Sequence, residues 1–187
     1  MLYGKLEYLL EKRKFKISAS LSQISNYIYF DTIAVPKQID KQVILSQIFA
    51  KKDFSFGKWN FNNKIIYQYV SKPDVIRVPE LVTVHSLYFE DHLFKKALFA
   101  QIGADIFFNT AYYADDYMPA TGQFYLQNDK KVGDYPYIDI FINLQINKAR
   151  IFLKMEHVNS GLLGNTYYMV PHYPMPDRAF KFGVSWM

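Results

Sequence analysis

The chain has 187 residues and a net charge of +5; aromatic residues make up 18%, charged residues 21%, and cysteine is absent. This composition excludes a disordered chain, a coiled coil and a collagen-like repeat, and without cysteine no disulfide or thiolate metal site can form. The lysines and arginines are scattered, which argues against a nucleic-acid-binding face, and no stretch of about 18 predominantly apolar residues suits a transmembrane helix.

Apolar and polar residues alternate with a period of two along most of the chain, whereas helical periodicity fails almost everywhere. The pattern is clearest after residue 135, where Ile138, Ile140 and Ile142 share one parity and Asp139 and Asn143 share the other. The alternating segments, in chain order, are 2–10, 15–30, 42–51, 58–69, 81–90, 98–112, 135–146, 149–158 and 179–187. The sequence therefore predicts an all-β, antiparallel protein with about nine strands and no helix.

The connections between these segments alternate between short and long. Tight polar turns are predicted at 11–14, 51–53, 90–92 and 147–148, and long links at 31–41, 71–80, 114–134 and 160–177. The long links contain most of the prolines, which cannot donate to a strand ladder. Short turns on one rim and long loops on the other are typical of an outer-membrane β-barrel. We therefore predict an up-and-down transmembrane β-barrel segment over residues 1–187, with the long loops extracellular.

A soluble β-sandwich or a small lipocalin-like barrel also shows alternating strands, so parity alone does not tell which face points inward. Aromatic residues favour the membrane barrel, because they crowd the predicted strand ends, as amphipathic rings do at a membrane–water boundary. Examples are Tyr67 with Tyr69, Tyr112 with Tyr113, and Tyr135. An odd count of nine strands is unusual for a bacterial single-chain barrel, which predicts that further strands lie upstream.

The last segment contains Tyr-Pro-Met-Pro-x-Arg-x-Phe followed by Gly-Val-x-Trp. The residues of this pattern are Tyr173, Pro174, Met175, Pro176, Arg178, Phe180, Gly183, Val184 and Trp186. The pattern resembles the C-terminal part of the putative porin family, outer-membrane β-barrels of Bacteroidetes-type bacteria, and residues 107–113 resemble the same family. The resemblance implies an outer-membrane location in a Gram-negative cell and a porin-like barrel.

The same resemblance implies a signal for the barrel assembly machinery, which recognises alternating apolar residues before the C-terminus of such chains. The candidate signal residues are Phe180, Phe182, Val184 and Trp186. Members of such families usually finish on Phe, whereas this chain finishes on Met187.

Motifs for catalysis and metal binding are missing from the sequence: it has no phosphate-binding glycine loop, no His-Glu-x-x-His pair and no Gly-x-Ser-x-Gly elbow. The histidines are dispersed; we expect His92 to lie solvated in a turn and His157 to lie at the membrane interface. Asp115, Asp116, Asp129 and Asp134 carry oxygen ligands that Ca²⁺ uses, but a solvated acidic loop is the preferred interpretation. We predict no catalytic residue, no metal and no cofactor.

Polar residues on the parity opposite the apolar one are the candidates for lining a pore. They are Lys58, Lys64, Gln101, Asp105, Asn109, Asp139, Asn143, Arg150, Lys154, Glu156 and Lys181. Both signs of charge occur, so this face can filter solutes by charge and size. The charges around residues 139–156 can equally form an ion-pair ladder that braces the wall.

The leading functional hypothesis is therefore a porin-like barrel that lets small hydrophilic solutes diffuse passively. The alternative is a closed structural or interaction barrel that docks a partner in a secretion or uptake complex. An outer-membrane hydrolase would need a nucleophile beside a histidine, an arrangement that the sequence does not indicate. The expected partners are outer-membrane lipid, the assembly machinery and either a second copy or a surface complex, with no nucleic acid.

Overall fold

The computed structural model describes residues 1–162 and 167–186. Apart from one turn of 3₁₀ helix at Glu11–Arg13, the regular structure in this part of the chain is β-strand, and none of its helices is long and apolar enough to cross a membrane. The strands are β1 (Leu2–Leu10), β2 (Phe15–Ile24), β3 (Ile28–Phe30), β4 (Pro36–Gln38), β5 (Val43–Phe56), β6 (Trp59–Val70), β7 (Leu81–Leu93), β8 (Leu98–Asn109), β9 (Asp116–Met118), β10 (Gln123–Tyr125), β11 (Tyr137–Ile146), β12 (Ala149–Glu156), β13 (Tyr168–Val170), β14 (Tyr173–Pro174) and β15 (Ala179–Trp186).

Nine long strands form one antiparallel sheet in the order β1-β2-β5-β6-β7-β8-β11-β12-β15. The six short strands pair within the long connections as three small hairpins, β3–β4, β9–β10 and β13–β14. Each long strand pairs with its neighbours along the chain, so the predicted all-β, up-and-down arrangement is confirmed. The sheet is open and does not close into a barrel. Because successive strands alternate in direction, the first and ninth strands, β1 and β15, run in the same direction. Two edge strands can pair antiparallel only if they run in opposite directions.

The register runs through the sheet without a bulge. Ile142, for example, lies opposite Ile102 on β8 and opposite Leu153 on β12, and Leu153 in turn lies opposite Phe182 on β15. Directly opposed residues point to the same side of a sheet, so the alternation in each strand adds up to two continuous faces. One is apolar, and we call the other the polar face; Asp139, opposite Asp105, belongs to it.

The burial of the two faces is the reverse of that in a soluble protein, in which the apolar face is buried and the polar face is exposed. The apolar face is exposed, with Leu6 78% and Phe182 73% accessible, whereas Ser18, Asn60 and Asp139 on the polar face are buried. The sheet therefore curls with its polar face inward. The accessible surface of 12531 Å² also exceeds the roughly 9,300 Å² that a compact globular chain of this mass would expose.

Most of the apolar burial lies at the rim formed by the long connections. The buried apolar residues there include Val43, Ala114, Leu126, Val132, Tyr135 and Tyr167. The four long connections occupy residues 25–42, 71–80, 110–136 and 157–178, longer in three cases than the predicted links. A small apolar core therefore lies among the long connections, whereas the described part of the sheet encloses no apolar core of its own.

Two of the predicted tight turns are wrong. Residues 51–53 lie inside β5 and residues 90–92 inside β7, and the actual turns are at 57–58 and 94–97. Charged residues at a strand end look like a turn in sequence, but here they have partners: the Lys51 ammonium lies 3.4 Å from the Asp53 carboxylate. His92 consequently lies on β7, where its ring contacts Phe99, and not in a turn.

On the polar face one glycine lies where neighbouring strands leave no room for a side chain. Gly103 faces Tyr88 and Phe141, and an added Cβ would lie 2.5 Å from Tyr88 Cβ and 2.6 Å from the Leu87 carbonyl oxygen. Gly103→Ala should destabilise the folded protein by about 1–3 kcal/mol, because that backbone oxygen cannot easily move. The measurement is the midpoint temperature of unfolding in detergent.

Gly4→Ala is the matched control, because nothing lies within 4 Å of a Cβ added at that strand position. It should be neutral or stabilise by about 0.5–1 kcal/mol, since alanine loses less entropy than glycine in a strand. Equal midpoints for the two variants would contradict the packing described for Gly103.

Candidate functional site

The polar face gathers nearly all of the predicted lining residues. Those that lie on it are Lys64, Gln101, Asp105, Asn109, Asp139, Asn143, Arg150, Lys154, Glu156 and Lys181. Lys58 does not: it lies in the turn between β5 and β6, where its ammonium pairs with Asp91 on the apolar side. The correction follows from the register, because β6 begins one residue after Lys58.

A ladder of ion pairs crosses the C-terminal part of the polar face. Lys154 Nζ lies 2.7 Å from the Asp139 carboxylate and 3.8 Å from that of Glu156. Lys181 Nζ lies 2.7 Å from the other carboxylate oxygen of Glu156. The ladder thus ties β11, β12 and β15 together, and the two lysines, which lie directly opposite each other, have their charges offset by the two acids.

Two amide side chains and one carboxylate form a hydrogen-bonded link across β7, β8 and β11 on the same face. The Asn143 side-chain nitrogen donates to Gln101 Oε1 at 2.9 Å, and Gln101 Nε2 donates to the Glu90 carboxylate at 3.3 Å. These residues are neighbours in register on β11, β8 and β7. Bonded in this way, they are held against the wall.

Several further charged residues lie on the polar face at positions that the sequence pattern does not predict. They are Lys5, Glu7, Lys16, Lys51, Asp53 and Glu90. Alternation in β1 and β2 is weak, and residues 51–53 and 90–92 were predicted as turns, so parity could not be assigned there. Glu7 pairs with Lys5 at 2.6 Å and with Lys16 at 2.8 Å, which makes a second, smaller ion cluster at the other edge of the sheet.

His157 anchors the last long connection to the upper end of the polar face, meaning the end next to the long connections. It is fully buried, its backbone N–H donates to Asp139 Oδ1 at 2.9 Å, and its Nδ1 lies 2.8 Å from the Pro176 carbonyl oxygen. Its Nε2 lies 2.9 Å from the Tyr135 hydroxyl, and the ring packs against Tyr167. The expectation of an interfacial His157 is therefore wrong, and no local signal could reveal partners about twenty residues away.

The long connections are tied to one another as well. The Arg77 guanidinium donates to the Gln127 carbonyl oxygen and, at 2.7 Å, to Asn128 Oδ1. The Leu126 N–H donates to the Phe30 carbonyl oxygen at 3.0 Å. Contacts such as these join the connections at 25–42, 71–80 and 110–136 into a single rim.

Of the acidic residues of the third of these connections, Asp129 and Asp134 are exposed as expected, whereas Asp115 and Asp116 are not solvated side chains. Asp116 is buried and its carboxylate contacts the Tyr125 hydroxyl at 3.1 Å and His172 Nδ1 at 2.9 Å. Burial raises the pKa of the Asp115 carboxyl, and the nearby positive charge of Arg77 opposes that rise. Within residues 1–162 and 167–186, no group of three or more His, Asp or Glu side chains is arranged to hold a metal ion.

A second acid is stabilised in its ionised form. The Tyr167 hydroxyl donates to Asp177 at 2.6 Å, and the Ser160 hydroxyl donates to it at 3.0 Å. These two hydrogen bonds hold the pKa of the Asp177 carboxyl below its usual range. In the same connection Tyr167 is buried at the rim, whereas Leu162 is exposed.

A cavity of about 500 Å³ opens at the rim between the connection at 71–80 and residues 110–113. Tyr67, Tyr112 and Tyr113 supply aromatic surface, and Arg77 and Lys131 both lie within 6 Å of the centre of the Tyr113 ring, at 5.8 and 5.2 Å. This cavity has the size of a small-molecule site, although the sequence analysis did not indicate one.

The predicted assembly-signal residues share one side of β15, the sheet edge. Phe180, Phe182, Val184 and Trp186 all point to the exposed apolar face, opposite apolar residues of β12. Met187 lies outside the described residues.

Comparison with known proteins extends the resemblance to the whole sheet. A family model described as "Putative porin" matches residues 2–187, from the start of β1 to the end of the chain. No curated protein matches the sequence. The resemblance seen in the C-terminal residues is therefore confirmed.

The anchoring role of His157 can be tested by substitution. His157→Asn keeps a polar residue that tolerates the left-handed backbone (φ 52°) but is too short to reach both Tyr135 and Pro176. We expect a loss of about 1–3 kcal/mol, because buried polar groups are left unpaired, and faster proteolysis between residues 157 and 178. Limited proteolysis and the unfolding midpoint measure these effects.

His92→Asn is the control, since His92 is exposed. It should change stability by no more than about 0.5 kcal/mol. Unchanged cleavage of the His157 variant would show that the loop is held by other contacts.

Proposed function

The chain belongs to the putative porin family, and from that premise we propose that its sheet forms part of an outer-membrane β-barrel through which small hydrophilic solutes diffuse passively. Family membership supports a porin-like, non-enzymatic role in general. The observation that carries the proposal is the reversed burial of the two faces: a charged, inward-curled face and an exposed apolar face. Water on the inside and hydrocarbon on the outside are the surroundings in which that arrangement is stable.

The distribution of aromatic residues on the apolar face supports the membrane location. At the short-turn end Trp59 stacks edge-on against Phe89 with ring centres 5.3 Å apart, and Phe54 stacks on Phe61. At the long-loop end of β6 lie Tyr67 and Tyr69. On β8, β11 and β12 the positions between are aliphatic, for example Ile102, Ile142 and Leu153. On β6 and β7 the polar side chains of Asn63 and His85 interrupt the band and pair with each other at 2.7 Å. An aliphatic band between aromatic ends is the pattern expected of a strand in a bilayer.

Most of the long strands are also long enough to cross a membrane. Seven of the nine contain 9–14 residues, and a tilted strand of about 9–11 residues spans the hydrocarbon; β12 and β15 contain 8 residues each. In hydrocarbon the unpaired backbone groups of β1 and β15 would be costly, so we propose that further strands complete the barrel. Because β1 and β15 run in the same direction, an odd number of additional strands is needed for antiparallel closure.

A closed barrel that docks a partner is the second candidate, and the loop rim favours it. Gly133, Tyr167 and Met175, from two long connections, pack around Phe107 and Tyr137 at the upper end of the polar face. Loops in that position narrow the entrance. On either proposal, outer-membrane lipid surrounds the barrel and the assembly machinery inserts it. The machinery would recognise the signal residues Phe180, Phe182, Val184 and Trp186. The further partner would be a second copy of the chain or a surface complex.

Conductance separates the two candidates. We expect the intact protein, reconstituted in a planar bilayer, to give stable ohmic steps in KCl, because a face of mixed charge is wetted by water and ions. Neutralising Arg150 and Lys154 together should shift the ion preference towards cations. A protein that inserts and shows heat-modifiable migration, yet never conducts, would support the closed barrel and contradict passive diffusion.

Membrane insertion is tested by placing one charge on either face of the same strand. Ile140→Arg puts a cation on the apolar face, where it should impair assembly by about 2–4 kcal/mol near the bilayer midplane. Asn143→Arg puts the same cation on the polar face and should assemble normally. The fraction of heat-modifiable protein in the membrane measures both; the reverse sensitivity would mean that the apolar face is buried and the protein soluble.

A further inference from the structure

Three lysines lie side by side across neighbouring strands on the polar face. Lys16 on β2 is directly opposite Lys51 on β5, and Lys51 is directly opposite Lys64 on β6. On its far side Lys64 faces Val84 on β7, where the row ends. These residues are 13 or more positions apart in the sequence, so only the register brings them together. We call them the lysine row.

The lysine row works against the stability of the sheet, because like charges directly opposite each other destabilise a strand pair. The ion-pair ladder also contains opposed lysines, but there two acids separate the charges. In the row the compensation is weaker. Lys16 pairs with Glu7 at 2.8 Å and Lys51 lies 3.4 Å from Asp53, while Lys64 is exposed and makes no ion pair within the described part of the chain.

The charge of the polar face is consequently unequal between its two parts. On β1, β2, β5 and β6 the charged residues of this face are Lys5, Lys16, Lys51, Lys64, Glu7 and Asp53, which sum to +2. On β7, β8, β11, β12 and β15 they are Arg150, Lys154, Lys181, Glu90, Asp105, Asp139 and Glu156, which sum to −1. The excess positive charge is therefore concentrated around the lysine row.

The surroundings of the lysine row suit an anion. Its same-face neighbours include hydroxyl and amide groups of the kind that can donate to an anion, among them Ser18 on β2 and Asn62 on β6. Lysine ammonium groups are mobile point charges that attract anions without fixing their orientation. A concave wall with an excess of one sign raises the local concentration of counter-ions, which favours weak, repeated binding and passage.

We propose that Lys16, Lys51 and Lys64 form a binding track for small anions such as inorganic phosphate and carboxylates, and that the solutes the barrel passes are mainly anionic. The inference rests on the proposed porin function and specifies its substrate class. An anion would lie between Lys51 and Lys64, where the repulsion between two ammonium groups is relieved when it binds.

The test is the reversal potential of the intact protein in a KCl gradient, compared with the variant K51Q/K64Q. Lys16 is left in place because it pairs closely with Glu7 at 2.8 Å, whereas Lys51 lies 3.4 Å from Asp53 and Lys64 makes no ion pair within the described residues. The chloride-over-potassium permeability ratio should fall by about threefold or more, since both charges face the path. The control K12Q/K148Q removes the same net charge from two exposed short turns and should change the ratio by less than about half as much.

A second measurement does not depend on conduction. Inorganic phosphate should show ³¹P line broadening with the folded protein in detergent, and K51Q/K64Q should abolish most of it while K12Q/K148Q retains it. Broadening without ion current would overturn passive diffusion but keep the anion track. Current with a wild-type reversal potential in K51Q/K64Q, or equal shifts in both double variants, would overturn the track and leave the porin proposal standing. Phosphate that never broadens would also overturn the track.

Discussion

The unbroken backbone ladder of the nine-stranded sheet is the constraint on which the other features depend. Because side chains alternate with a period of two, a slip of one residue between any two strands would exchange their faces. No such slip occurs from β1 to β15, so Leu6 and Phe182, at opposite edges, lie on the same exposed face. The reversed burial that supports a membrane barrel is thus a consequence of register rather than of any single residue.

The loop rim supplies the packing that the sheet lacks. Hydrogen bonds connect the wall to the loops in addition to aromatic contacts: Asp139, on the polar face, accepts from the backbone of His157, which also binds the Pro176 carbonyl group. Asp139 therefore belongs both to the ion-pair ladder and to the loop anchor. Buried polar groups are expensive to leave unpaired, so the two systems reinforce each other.

The charges of the polar face follow two different physical arrangements. Around Lys154 and Glu156 the opposite signs lie within bonding distance, an arrangement that braces the wall. Around Lys51 and Lys64 the same sign is repeated across the strands, which lowers the stability of the sheet. A wall that is braced on one side and positively charged on the other has a transverse field, and under the proposed porin function this field would act on each passing solute.

By itself the sequence determined the strands, their antiparallel order and the face on which residues such as Gln101, Asp139 and Lys181 lie, because these depend on a local period of two. It misplaced the turns near Lys51 and His92, because charged strand ends resemble turns until their partners are known. Only the tertiary structure decided which face curls inward, that His157 is buried, and that Lys16, Lys51 and Lys64 are neighbours. Those properties depend on pairing between distant strands and loops, and a period read along one strand contains no information about the register of the next.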